Sequence, residues 1–154
     1  MDVTKLVERY ADMLYRLCIV TLQSHADAED AVQETLLRLL TKAPDFENEE
    51  HRKAWLITVA LNQCRSMQRQ RIRTVPTDPE QLHPPGASQE ENRLLSALLQ
   101  LPEKYRTALH LYYVEGYAVG EIAQITGASA SAVKMRLARG RRLLETMYRR
   151  EIGV

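Results

Sequence analysis

Apolar residues recur three and four positions apart along most of this chain, the spacing of one face of a helix, and no segment alternates with the period of a strand. Leu6, Tyr10, Met13, Leu14 and Leu17 form a first such stripe, which Asp2 or Thr4 can cap and which Ser24 and His25 interrupt. A second helix is expected from near Ala26, with Asp27, Glu29 and Asp30 in its first turn, where the helix dipole favours carboxylates. Its expected buried side is Val32, Leu36, Leu39 and Leu40, and Pro44 ends it. Asp30, Gln33, Glu34 and Leu37 then point the other way at the spacing of one docking face. After an acidic loop over Asp45–Glu50, a third helix is expected from His51 to Arg73. It is apolar early, at Trp55, Leu56, Val59 and Ala60, and polar and basic later, from Asn62 to Arg73.

The stretch from Thr74 to Gln89 breaks the pattern. Pro76, Pro79, Pro84, Pro85, Gly86 and Ser88 with almost no apolar neighbour have the composition of a mobile linker. It divides the chain into a helical domain over 1–73, a linker over 74–89 and a second helical domain over 90–154. The second domain is expected to open with a helix from Glu90 to Gln100 carrying Leu94, Leu95, Leu98 and Leu99. Pro102 suits the first turn of the next helix, which brings Ala108, Leu109, Leu111 and Tyr112 into the core and stops at Gly116. Val119, Ile122 and Ala123 follow, broken by Gly127 in a place suited to a left-handed residue. Ser129 can cap a last helix with Val133, Leu137 and Leu144 on its apolar side. Two helices joined by a short Gly-containing turn form a helix-turn-helix, so the fold class is all-α.

Charge changes the picture. The formal net charge is only +1, yet Met1–Glu50 holds eleven acids against five bases, His51–Arg73 holds six bases and no acid, and Ser129–Arg150 holds seven bases and Glu145. Such alternation points to nucleic acid for the basic blocks and another partner for the acidic one. A basic last helix would neutralise phosphates and release counterions, although Arg and Lys also form plain solvated faces. Trp55, beside the basic tail of the third helix, either packs in the core or stacks on an unpaired base.

Catalytic patterns are absent from the sequence: there is no Gly-rich phosphate loop, no HExxH and no nucleophile elbow. His25, His51, His83 and His110 have no metal-ligand spacing with Cys18 or Cys64, so neither metal nor cofactor is expected, nor a small-molecule substrate. Cys18 and Cys64 read as buried thiols of a reducing compartment, with a disulfide between them as the alternative. Met1–Leu22 is interrupted by charges and no apolar run spans a bilayer, so a soluble, cytoplasmic protein is expected.

Three stretches taken together, Asp27–Leu40, Ala54–Arg71 and Leu101–Leu144, resemble in order and spacing the extracytoplasmic-function group of bacterial RNA polymerase sigma factors. The resemblance covers nearly the whole chain. It implies two helical domains, region 2 and region 4, on a flexible linker, and a function in promoter-specific transcription initiation without catalysis. By the same resemblance Asp30, Gln33, Glu34 and Leu37 match the part of region 2 that docks on the clamp helices of core RNA polymerase, whose flap is a second contact. The Asp45–Arg52 loop, with Asp45, Asn48 and Arg52, matches the specificity loop that receives a flipped base of the non-template strand in the minus-ten element. Trp55, Asn62, Arg65 and Arg69 lie on the matching single-strand helix, which adds weight to the stacking alternative for Trp55 without displacing its reading as a core residue.

In region 4 the helix from Ser129 resembles the reader of the duplex minus-thirty-five element. Ser131, Lys134, Met135 and Arg136 match groove-facing positions, and Arg139, Arg141 and Arg142 are placed for phosphates. The chain departs from the family where Ala132 replaces the usual Thr, and where Ala138 and Gly140 replace bulkier residues; mid-helix Gly140 costs about 1 kcal/mol relative to Ala. An anti-sigma protein is a further partner implied by the resemblance. A helix-turn-helix repressor would use Ser129–Arg150 equally well but leaves Asp27–Arg71 unexplained, and a helical scaffold with a basic surface would show no promoter preference.

Overall fold

A computed structural model describes residues 2–70, 77, 78, 82 and 88–151, and among these there are seven α-helices and no strand. The chain divides into two compact units, Met1–Gly86 and Ala87–Val154.

The first unit is built on α1 (Val3–Leu22), α2 (His25–Lys42) and α3 (Glu49–Gln70), each packed against the other two. Asp2 caps α1 through Thr4, and Gln23 ends it in the left-handed region at φ 51°, its N–H donating to the Ile19 carbonyl. Ser24 then caps α2, its hydroxyl accepting from the Asp27 N–H at 3.3 Å. One polar pair between the stripes thus ends one helix and starts the next. Leu14, Leu17, Ile19, Leu56, Ile57 and Leu61 are fully buried at the centre, each such side chain contributing roughly 1.5–3 kcal/mol. Cys18 and Cys64 are free thiols in this core. Hydrogen bonding with Cys64, and then burial, push the Cys18 thiol well above its ordinary value, which keeps it protonated and inert.

The buried side of α2 differs from the expected one. Ala28, Ala31, Val32, Thr35 and Leu39 face the core, whereas Leu36 is half-buried and Leu40 is 49% exposed. The small side chains at 28, 31 and 35 take the buried side, which centres the stripe away from Leu40. Thr35 is tolerated there because its hydroxyl donates to the Ala31 carbonyl at 2.7 Å. Helix α3 begins at Glu49, two residues before the expected His51, because the Asn48 side chain caps it by accepting from the His51 N–H at 2.8 Å. Its expected end at Arg73 lies outside the described residues.

Most of the expected linker, 74–89, also lies outside them. At the described points, the Thr77 N–H donates to the Gln23 carbonyl at 2.8 Å, the Thr77 hydroxyl accepts from the His25 N–H at 3.1 Å, and Leu82 is 1% exposed. Ser88 is already the N-cap of α4 (Gln89–Leu99).

In the second unit α5 (Glu103–Leu109) and α6 (Val119–Thr126) both pack on α7 (Ala130–Glu151). Pro102 is the N-cap of α5 and lies just before its first turn. The helix continues as a π turn over His110–Val114, with the Glu115 N–H reaching the His110 carbonyl at 3.1 Å. The wide turn inserts one extra residue, which rotates Tyr112 out of the core to 38% exposure against expectation. It also brings His110 Nε2 within 3.3 Å of Glu115 Oε1, both side chains being buried. Gly116 and Gly127 have φ of 77° and 76°, the left-handed conformation their positions require.

Candidate nucleic-acid interface

Helix α7 starts where the sequence places it. After the Gly127 turn the Ser129 hydroxyl accepts from the Ala132 N–H at 3.1 Å and its carbonyl accepts from the Val133 N–H. Val133 and Leu137 are buried against the rest of the unit, while Leu144 is only partly covered. With that side fixed, Ser131, Lys134, Met135, Arg139, Arg141 and Arg142 are exposed and Arg136 is half-exposed. The structure therefore brings the predicted groove-facing and phosphate-facing residues onto the open side of one helix. An exposed Met at 135 among cations offers an apolar surface suited to a base edge or a thymine methyl.

Two tyrosines outside α7 join this surface, and the apolar pattern gave no sign of either. Arg141 donates to the Tyr113 hydroxyl at 3.0 Å. The Arg139 guanidinium beside Tyr105 is the first cause holding the Tyr105 phenol below its ordinary value. Gly140 sits between these arginines and is buried. A Cβ there would lie 2.8 Å from Leu109 Cδ1 and 3.1 Å from Leu109 Cγ, so the glycine lets α7 lie close on α5.

In the first unit the loop before α3 is held more tightly than the sequence suggests. Asp45 is exposed. Asn48 is exposed too, but its Oδ1 is committed to the α3 cap. Arg52 lies within the helix and not in the loop. Its guanidinium pairs with Glu49 Oε1 at 2.5 Å and sits 5.3 Å from the Phe46 ring centroid, so it acts first as a cation that fixes the loop. Phe46 packs edge-on against His51 at 5.3 Å and Trp55 at 5.6 Å. Trp55 is half-buried, between the core and stacking alternatives, and in edge contact with Phe46. It shares a stripe of α3 with Asn62 and Arg69, both exposed, and Arg65 flanks them, partly covered.

On α2, Asp30, Gln33 and Leu37 are exposed, Leu37 by 53%. Glu34 is half-exposed and pairs with Arg38 at 3.2 Å. Leu40 continues this row at the same helical spacing, so the residue expected in the core extends the outward face. An apolar ridge flanked by acids suits a protein partner more than a phosphate.

Among the described residues no group of His, Cys, Asp and Glu could hold a metal ion, and no helix is long and apolar enough to cross a membrane.

Comparison with known proteins agrees with the division into two units. The sigma-70 region 2 family matches residues 6–74 and the sigma-70 region 4 family matches residues 91–144. The ECF RNA polymerase sigma factor SigL of Mycobacterium tuberculosis is 35% identical over 160 residues, covering 97% of this chain and 89% of the relative. SigW of Bacillus subtilis is 28% identical over 163 residues, covering 94% and 87%. Among solved structures, the sigma factor RpoE in complex with the anti-sigma factor NepR from Bartonella quintana superposes with a TM-score of 0.79 at 26% identity, over 95% of this chain and 96% of that one.

Proposed function

Since the chain belongs to the extracytoplasmic-function sigma factors of the sigma-70 family, non-enzymatic proteins that bind core RNA polymerase and promoter DNA to start transcription, we propose a division of that work among its surfaces. The first unit, as region 2, docks on polymerase through Asp30, Gln33, Glu34, Leu37 and Leu40. Its 45–48 loop and the Trp55, Asn62, Arg65 and Arg69 side of α3 hold the opened minus-ten element as single strand. The second unit, as region 4, reads the duplex minus-thirty-five element with Ser131, Lys134, Met135 and Arg136, and Arg139, Arg141 and Arg142 grip phosphates. Phosphate contacts set affinity and salt dependence, and base contacts set sequence.

The observation that carries this reading is the N-capped α7, whose open side gathers these cations and Met135 immediately after the Gly127 turn. Opening the duplex at the loop costs a few kcal/mol per unstacked base, offset by stacking on aromatic side chains. Because RpoE is found with NepR in a structure of the same fold, an anti-sigma protein is the partner proposed to withhold this chain from polymerase.

Run-off transcription with purified chain, sigma-free core polymerase and a library of promoter fragments is the decisive experiment. Discrete transcripts that require the chain, lost in Arg136→Ala with polymerase binding intact, support the assignment. In Glu34→Lys polymerase binding is lost instead. Equal loss of both activities in both variants would refute the division.

A further inference from the structure

Glu49 lies at the end of the 45–48 loop and is not among the residues proposed above to meet DNA, yet its carboxylate joins three side chains. One oxygen accepts from the Tyr10 hydroxyl of α1, which is 4% exposed, and lies 3.6 Å from Arg9 Nε; the other lies 2.5 Å from Arg52. Arg52 carries the connection onward to Phe46, and Phe46 rests on His51 and Trp55. The loop backbone is held from the same side, the Glu47 N–H donating to His51 Nδ1 at 3.2 Å. A chain of contacts therefore runs from the core of α1 through one carboxylate to the aromatic residue of the loop.

We propose that Glu49 is a positioning residue for the 45–48 loop, anchoring it through Arg52 and Phe46 to Tyr10 so that the loop meets the unpaired base already in its binding geometry. The inference rests on the single-strand reading of that loop given above. The physical basis is preorganisation. A loop that must be ordered on binding loses part of its interaction energy to that ordering, and one fixed beforehand does not. Glu49 suits the task because its charge is met by two cations, so it holds the loop without presenting an unbalanced anion to DNA.

The test uses the full chain alone and assembled with core polymerase, in Tyr10→Phe and Glu49→Gln. Tyr10→Phe keeps the buried ring and removes only the hydroxyl that donates to Glu49. Trp55 is the only tryptophan in the chain, so acrylamide quenching of its fluorescence reports the Phe46 contact directly, and it should rise in both variants. The probe for holoenzyme is a non-template single-stranded oligonucleotide from a promoter located by run-off transcription. Its affinity should fall about three- to tenfold, the scale of one net hydrogen bond, and discrimination against a substituted base should fall with it. Helix content by circular dichroism, binding to core polymerase and duplex binding by the second unit should be unchanged. Unaltered quenching and unaltered discrimination overturn the proposal. Raised quenching with discrimination intact overturns the role of Glu49 in recognition alone. A wild-type holoenzyme with no base preference removes the reading of the loop itself, and the proposal with it.

Discussion

Gly140→Ala sets two effects of known sign against each other. In an open helix the substitution would stabilise by about 1 kcal/mol, because alanine loses less backbone entropy and favours the helix. In α7 the new methyl would stand 2.8 Å from Leu109 Cδ1, 3.1 Å from Leu109 Cγ and 3.4 Å from Tyr105 Cβ. The first distance alone would be a small matter if a free leucine tip could swing away. Leu109 is 2% exposed, however, and the closeness of Cγ means that the whole side chain must move. Overpacking of this kind costs about 1–3 kcal/mol, so the net expectation runs from near zero to roughly 2 kcal/mol of destabilisation. Each kcal/mol corresponds to about 4–8 °C in Tm for a domain of this size.

The assay is urea and thermal unfolding of the full chain followed by far-ultraviolet circular dichroism, with Trp55 fluorescence reporting the first unit separately. The Trp55 transition should stay in place while the dichroism transition of the second unit moves down. In a Leu109→Ala background the close contact is gone, and the same substitution should become neutral or stabilising, a coupling that a double-mutant cycle isolates. Stabilisation of the second unit by Gly140→Ala in the wild-type background would refute the packing argument and leave Gly140 as a simple propensity defect.

Other outcomes follow from single groups. Gln23→Gly should stabilise the first unit by roughly 0.5–1 kcal/mol, since Gln23 sits at φ 51° where glycine carries no steric penalty, and a higher urea midpoint by Trp55 fluorescence checks it. Tyr10 first, opposing burial, and then Arg52 and Arg9 hold the Glu49 carboxyl below its ordinary value. Its stabilising effect is therefore present above the unfolded value and lost as pH falls through the folded one. The difference in unfolding midpoint between wild type and Glu49→Gln should accordingly be constant near neutrality and close in the acid range, and a gap that widens on acidification would contradict this. Arg139→Ala should weaken duplex binding similarly on cognate and unrelated DNA, and lower the slope of log K against log salt by about 0.9; an unchanged slope would remove Arg139 from the phosphate contacts.

The sequence was most legible where local chemistry and tertiary packing agree. The Ser24 interruption, the Gly127 turn and the Ser129 cap depend on one residue's backbone preference or one side-chain oxygen, and each stands where the pattern puts it. It was least legible where a partner distant in the chain decides. Leu40 matches a helical stripe as well as Leu39 does, yet the buried side of α2 is centred on 28, 31 and 35 and leaves it outward. Tyr112 is displaced by a π turn that no residue type announces. Gly140 reads as a defect until Leu109 is placed beside it.

The same distinction bears on the nucleic-acid surfaces. A residue carried over by position brings its side-chain chemistry but not its other commitments. Arg52 and Asn48 match the loop by position, yet the guanidinium of one is paired with Glu49 and covers Phe46, and the amide oxygen of the other caps α3. Their work of holding the loop precedes any contact with a base, so replacing either should disturb the loop before it removes a DNA contact. Among the described residues the side chains of Lys134, Arg136 and Arg142 on α7 have no such internal bond, so their cost on replacement should be read in DNA binding and not in stability. Arg139 and Arg141 stand between these cases, because Tyr105 and Tyr113 hold them from α5 and the π turn. If Tyr113 orients Arg141, then Tyr113→Phe should weaken duplex binding in the wild-type chain and have no further effect once Arg141 is alanine. Additive losses in that double-mutant cycle would show instead that Tyr113 reaches the DNA independently.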